Sequence, residues 1–192
     1  MEQNPLLLND VGSALSTCGE YAAARECFLE AIKLAPDNKD IQFNYALMLK
    51  KIGEIVEAEK ILAGICETEA NGSFGKKASA DAFDVWGLVL IDLDRKEDAR
   101  KAFENALAID DSVSRIWNNL GTLNFIEGDR KEAVRCFERA LTLNPYNADA
   151  LYNLRDSYNE TDNIRGALLC AIFDAKRGGQ NSQLALLRPN RE

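Results

Sequence analysis

Five alanines, Ala24, Ala58, Ala99, Ala133 and Ala167, recur 34 residues apart with one interval of 41. A period held this closely marks copies of one small supersecondary unit. Such a unit cannot bury its apolar face alone, so neighbouring copies must stack. The stretch Ser114–Asn147 shows the unit most fully. Trp117 and Leu120 give a first helix a bulky inner stripe, whereas Gly121 and Ala133 lack bulk where two helices must touch. Phe137 fills the space between neighbouring units. Pro145 ends the second helix, because it has no N–H to continue the ladder.

Copies lie on both sides. Pro5–Asn38 carries Leu8, Gly12, Leu15, Gly19, Tyr21, Ala24, Phe28, Ala31 and Pro36 in the same places. Lys39–Gly72 keeps the packing sizes with Tyr45, Ala46, Leu49, Gly53, Ala58 and Leu62, but Gln42 replaces the aromatic and no proline closes it. Ala80–Val113 restores Phe83, Trp86, Gly87, Leu90, Ala99 and Phe103. The last unit, Ala148 to Gln180, diverges: Arg155 takes the small position, Ala171 stands for phenylalanine and Asp174 for alanine. Divergence suits an end unit with nothing stacked behind it.

The order Trp-x-x-Leu-Gly, then Ala-x-x-x-Phe, then Pro resembles the tetratricopeptide repeat family over almost the whole chain. The resemblance implies an all-α fold, a right-handed superhelical array of about five helix pairs (an α-solenoid). One array is then expected over residues 1–180, with repeats at 5–38, 39–72, 80–113, 114–147 and 148–180. Ser73–Ser79 exceeds the repeat length, and with Asn71 and Gly72 it reads as a flexible linker or an extra turn on the preceding helix. The segment 181–192, with Leu184, Leu186 and Leu187, is expected to cap the last repeat as a short helix, or to form a tail.

Composition narrows the function. A net charge of -8 argues against nucleic acid, whose binders carry a basic stripe. Five cysteines without a Cys-x-x-Cys pair, and no histidine, argue against a zinc site, a disulfide framework or a Ser or Cys nucleophile with its usual base. Cys27, Cys136 and Cys170 share one place in the second helices and are expected to be reduced and buried. Asp92-Leu-Asp94 and Asp110-Asp111 lack the glycine and distal glutamate of a calcium loop and read as turn residues. The run Gly72–Lys77 follows a helix and lacks the first glycine of a phosphate loop. No cofactor is expected. Neither a leader nor a membrane span is visible, so a cytoplasmic protein without a membrane partner is expected.

In tetratricopeptide arrays the first helices line a concave face. Carried over by position, that face would hold Asn44, Leu88, Ile91, Asn119, Phe125, Tyr152 and Asn153. Asn44, Asn119 and Asn153 share one place, a ladder interrupted by Asp10 and Val85. A carboxamide both donates and accepts, so such a ladder can hold a peptide backbone. The same asparagines also read as surface residues near helix starts. Asp84, Asp149 and Asp156, with Asp81, Asp92 and Glu160, would make the later groove acidic and favour a basic partner. The third repeat alone holds nine acids against four bases. The family's chaperone-tail clamp uses lysine, arginine and asparagine at fixed places. Here those places hold Asn9, Ser13, Asn44, Asp81 and Val85, or Asp84, Leu88, Asn119, Asp149 and Asn153. Only the central asparagine survives, which argues against binding of heat-shock carboxylate tails. The expectation is a non-enzymatic protein–protein interaction module that takes a protein or peptide segment in its groove. The alternatives are a self-associating structural scaffold and a regulatory segment of a larger enzyme.

Overall fold

The structure, a computed structural model, describes residues 4–68, 76–160, 163, 166–168, 170 and 171, apart from the side chains of 68 and 76–78. Among these residues every regular element is helical. The helices are α1 (Pro5–Cys18), α2 (Tyr21–Leu34), α3 (Lys39–Lys51), α4 (Ile55–Thr68), α5 (Lys76–Asp92), α6 (Lys96–Ile109), α7 (Ser114–Glu127), α8 (Arg130–Leu143) and α9 (Ala148–Glu160). Residues 166–168, 170 and 171 are also helical. The fold is all-α, a helical-repeat solenoid. Contacts cluster into two compact units, Met1–Asp110 with α1 to α6 and Asp111–Glu192 with α7 to α9.

Each hairpin is made by the same turn. The N–H groups of Glu20, Glu54, Arg95, Asp129 and Asn163 bond back to carbonyls of Leu15, Leu49, Leu90, Asn124 and Tyr158 at 2.8–2.9 Å. That six-residue closure needs a left-handed residue just before it. Gly19, Gly53 and Gly128 supply it with φ of 88°, 84° and 89°. Asp94 supplies it in the third copy with φ 56°, which gives the Asp92-Leu-Asp94 stretch its role as turn. One turn later the alanine of each register, from Ala24 to Ala167, donates its N–H to the carbonyl four residues back at 2.9–3.1 Å.

The recurrent small residues are explained by what they face. A Cβ on Gly121 would stand 2.6 Å from the Phe137 ring, and one on Gly87 would stand 2.5 Å from that of Phe103. Where the first-helix residue grows to Ala46, the ring position shrinks to Leu62, and both are fully buried. Ala24, Ala58, Ala99 and Ala133 are each 0% exposed, while Ala167 is half-buried. In the first unit Phe28, Tyr45, Met48, Leu49, Leu62 and Val89 form a continuous core. In the second, Ala133 and Phe137 pack with Leu151, Leu154 and Cys170.

Two ion pairs in the first unit occupy equivalent places with opposite polarity. Arg25 on α2 pairs with Glu54 at the start of the next second helix, whereas Glu59 on α4 pairs with Arg95 at 3.0 Å. The bond from Arg25 holds the Glu54 carboxyl below the usual carboxylate range.

Two expectations are corrected. Helix α5 begins at Lys76, so 76–79 belong to the first helix of the third repeat rather than to a linker. The rest of that connection, 69–75, and the segment 181–192 lie outside the described residues. Cys136 and Cys170 are buried, but Cys27 is only half-buried, as is Ile61 at the same register place of the second repeat.

Candidate functional site: the first-helix faces

In the first unit, polar groups tie consecutive first helices together. Asn44 Nδ2 of α3 donates to Asn9 Oδ1 of α1 at 3.0 Å, and Asn9 is buried. Lys51 Nζ donates to the Ser16 carbonyl at 3.0 Å and lies 5.4 Å from the Tyr21 ring centre. Lys50 pairs with Asp92 of α5 at 3.3 Å, which offsets part of the expected acidity. Leu88 and Ile91 are half-buried. Asp84 is 0% exposed, which corrects its reading as an acid on the open groove. It shares its register place with Asn9 and Asn118, which are also buried, and with half-buried Phe43 and exposed Tyr152.

The second unit repeats the carboxamide contact. Asn153 Nδ2 of α9 donates to Asn118 Oδ1 of α7 at 3.0 Å and approaches Thr122 Oγ1 at 3.4 Å. Thr122 in turn bonds the Asn118 carbonyl at 3.0 Å. A small cleft between α7 and α9 brings together Thr122, Phe125, Phe137, Asn153 and Asp156. The Arg130 guanidinium lies 3.9 Å from the Phe125 ring centre, donates to the Phe125 carbonyl and pairs with Glu160. One face of the ring is thus occupied, and Glu160 is not a free acid. Asp149 and Asp156 are exposed and form no ion pair among the described residues. Tyr152 is 60% exposed, with the Arg155 guanidinium 4.9 Å from its ring centre. Asn119 is half-buried on α7.

The asparagine ladder therefore has a first duty within the protein. The amide N–H groups of Asn44 and Asn153 hold neighbouring helices, and their Oδ1 atoms accept no hydrogen bond among the described residues. The pairing of these donors with Asn9 and Asn118 was not foreseen from the sequence, although Asn118 also stands among the expected inward positions of its helix. The signal was available as a second polar residue one position earlier. Arg130 was missed as well. Its only sequence trace is a cation five residues after an aromatic, across the turn at Gly128.

A larger apolar cavity of about 440 Å³ lies against α8 and α9, lined by Leu141, Pro145, Leu151, Leu154, Tyr158 and Cys170. It contains none of the candidate residues. Leu151 there holds the register place of Trp117, so a smaller side chain leaves room. Burial, then the bond to Glu138, holds the Tyr158 phenol above its usual range. Among the described residues no helix is long and apolar enough to cross a membrane.

Three family models described as tetratricopeptide repeat match residues 7–38, 27–60 and 114–147. In sequence the chain is similar to a BBSome complex member BBS4 homolog of Drosophila melanogaster, 23% identical over 169 residues. The match covers 87% of this chain and 34% of that relative, so the chain spans about a third of its length. Among solved structures it is similar to the MamA protein (TM-score 0.75, 19% identity, 94% of this chain and 99% of that one). It is also similar to pilF of Pseudomonas aeruginosa (TM-score 0.77, 20% identity, 92% and 78%). A third likeness is to TTC0263, a thermophilic TPR protein of Thermus thermophilus (TM-score 0.72, 17% identity, 95% and 95%). At these identities the structural likeness concerns the fold.

Proposed function

Because the chain belongs to the tetratricopeptide repeat family, we propose that it is a non-enzymatic protein-interaction module whose first-helix faces take a basic peptide segment of a partner. The observation that carries this reading is the cleft of the second unit. There Phe125, Asn153 and Asp156 line one small opening together with Thr122. Asn153 Oδ1 is suited to accept a backbone N–H, and Asp149 and Asp156 attract cations and speed their encounter. Tyr152 on α9 and Ile126 on α7 are exposed and supply apolar area. Leu88, Ile91 and Asn44 would serve the same role on the first unit's face. Micromolar affinity, roughly -8 kcal/mol, is within reach of a few such contacts.

A second reading follows from the Drosophila relative, which is named as a member of a complex. On that reading the chain is a structural part of a multiprotein assembly rather than a peptide reader. Affinity capture with the purified chain, followed by mass spectrometry, names the partner. Peptides tiled across it are then titrated by fluorescence anisotropy. The Asp149→Asn, Asp156→Asn double variant should bind a basic peptide about tenfold more weakly, with a flatter salt dependence. Unchanged binding by that variant, or contacts mapping only to folded surfaces of the partner, would favour the assembly reading.

A further inference from the structure

We propose that the α7–α9 cleft reads arginine, seating a guanidinium of the partner against Phe125 and the Asp156 carboxylate. This rests on the reading of that face as a surface for a basic peptide, and it names the side chain selected. The chain supplies its own precedent beside the cleft. The Arg130 guanidinium stands 3.9 Å from the Phe125 ring centre, donates to the Phe125 carbonyl and pairs with Glu160 of α9. An aromatic ring, a carbonyl oxygen and a carboxylate thus already hold one planar cation here.

The parts of a second such set stand one helical turn earlier on α9. Asp156 precedes Glu160 by four residues, so the two carboxylates lie along one side of that helix. Asp156 lines the cleft with Phe125 and Asn153, is exposed and forms no ion pair among the described residues. Asn153 directs its amide N–H groups to Asn118 and Thr122, which leaves Oδ1 as the acceptor. Arg130 does not line the cleft, so the part of the Phe125 ring that does is not the part it covers. The opening is small and takes the tip of one side chain rather than a stretch of peptide.

Register confines this set to the last two first helices. The same two places hold Ser16 with Leu47, Lys50 with Leu88, and Ile91 with Thr122 in the earlier copies. Only Phe125 with Asp156 joins an aromatic to a carboxylate. Arginine fits such a pair better than lysine. Its planar, weakly hydrated cation stacks on a ring while its fork of N–H groups bonds a carboxylate and an amide oxygen. Lysine is a compact, strongly hydrated charge that gains chiefly from the carboxylate. Two guanidinium groups on one ring repel each other, but each has its own acid, Glu160 for Arg130 and Asp156 for the ligand.

Amide NMR of the isotope-labelled full chain, titrated with N-acetylarginine methylamide or N-acetyllysine methylamide, tests this. The arginine compound should shift the signals of Phe125, Asn153 and Asp156, with a dissociation constant on the order of 1 mM. The lysine compound should bind at least about threefold more weakly, the margin that stacking on an exposed ring supplies. Asp156→Asn should weaken both compounds. Phe125→Leu should abolish the preference between them, and Phe125→Tyr, which keeps a ring, should retain it. Asp156 is exposed, so its variant and the native ratio still decide should Phe125→Leu fail to fold by circular dichroism. Equal affinity for the two compounds would overturn the arginine assignment and leave the basic-peptide reading standing. A preference that survives Phe125→Leu in a folded chain, or no shift at these residues up to about 20 mM, would also overturn it. The peptide titrations described above judge the basic-peptide reading separately.

Discussion

At the residue scale, the informative glycines are those that cannot be anything else. Gly121 is helical, so alanine should favour the backbone by about 1 kcal/mol. Its Cβ would meet the Phe137 ring at 2.6 Å, however, and overpacking a core contact costs about 1–3 kcal/mol. Gly121→Ala is thus expected to lower the melting temperature. Gly64, exposed on α4, has nothing within 4 Å of its missing Cβ, so Gly64→Ala should raise stability by about 0.5–1 kcal/mol. Paired thermal melts check both signs. The size code of Gly121, Ala133 and Phe137 was legible in the sequence because packing leaves its record in side-chain volume. The burial of Asp84 was not, since a carboxylate on an amphipathic helix reads as surface. Its alignment with Asn9 and Asn118 is a trace of it, but Phe43 and exposed Tyr152 stand at the same register place and blur that signal.

At the element scale, hairpin boundaries were legible to within a residue or two because Gly19, Gly53 and Gly128 mark left-handed turns. The start of α5 was not, because Lys76, Lys77 and Ser79 suit an exposed helix turn as well as a loop. Contacts between elements carry a pH signature. Glu54 has its carboxyl depressed, first by the bond from Arg25. Its stabilising contribution is present above the ordinary carboxylate range and is lost as pH falls through the depressed value. Arg25→Gln should therefore lower the melting temperature at pH 7, and the gap to the native chain should close as the pH approaches 2. Melts across that range read the sign. A gap that persists in acid would assign the effect of Arg25 to its bond with Tyr45, at 3.3 Å, instead.

At the scale of the whole molecule, each unit carries its own reporter. Cys18 is exposed and should react with a thiol reagent within the mixing time of a slow assay, ahead of half-buried Cys27. Buried Cys66 and Cys136 should wait for opening of the first and second units respectively, because the thiolate must reach solvent to react. Site-resolved labelling by mass spectrometry gives the order, and early modification of Cys136 would contradict its packing. The existence of a repeat array was the most legible property of all, because each copy independently reports the same geometry. The grouping into two units was not, since the period runs on unbroken from the third copy to the fourth. The reversed polarity of the Arg25–Glu54 and Glu59–Arg95 pairs has a genealogical consequence. Arrays of this kind grow and shrink when recombination adds or removes whole copies. Loss of the second copy here would set Arg25 against Arg95, guanidinium to guanidinium, at a junction that elsewhere joins opposite charges. The charges at these two junctions therefore favour each copy beside its own neighbour, by the modest margin that exposed ion pairs supply.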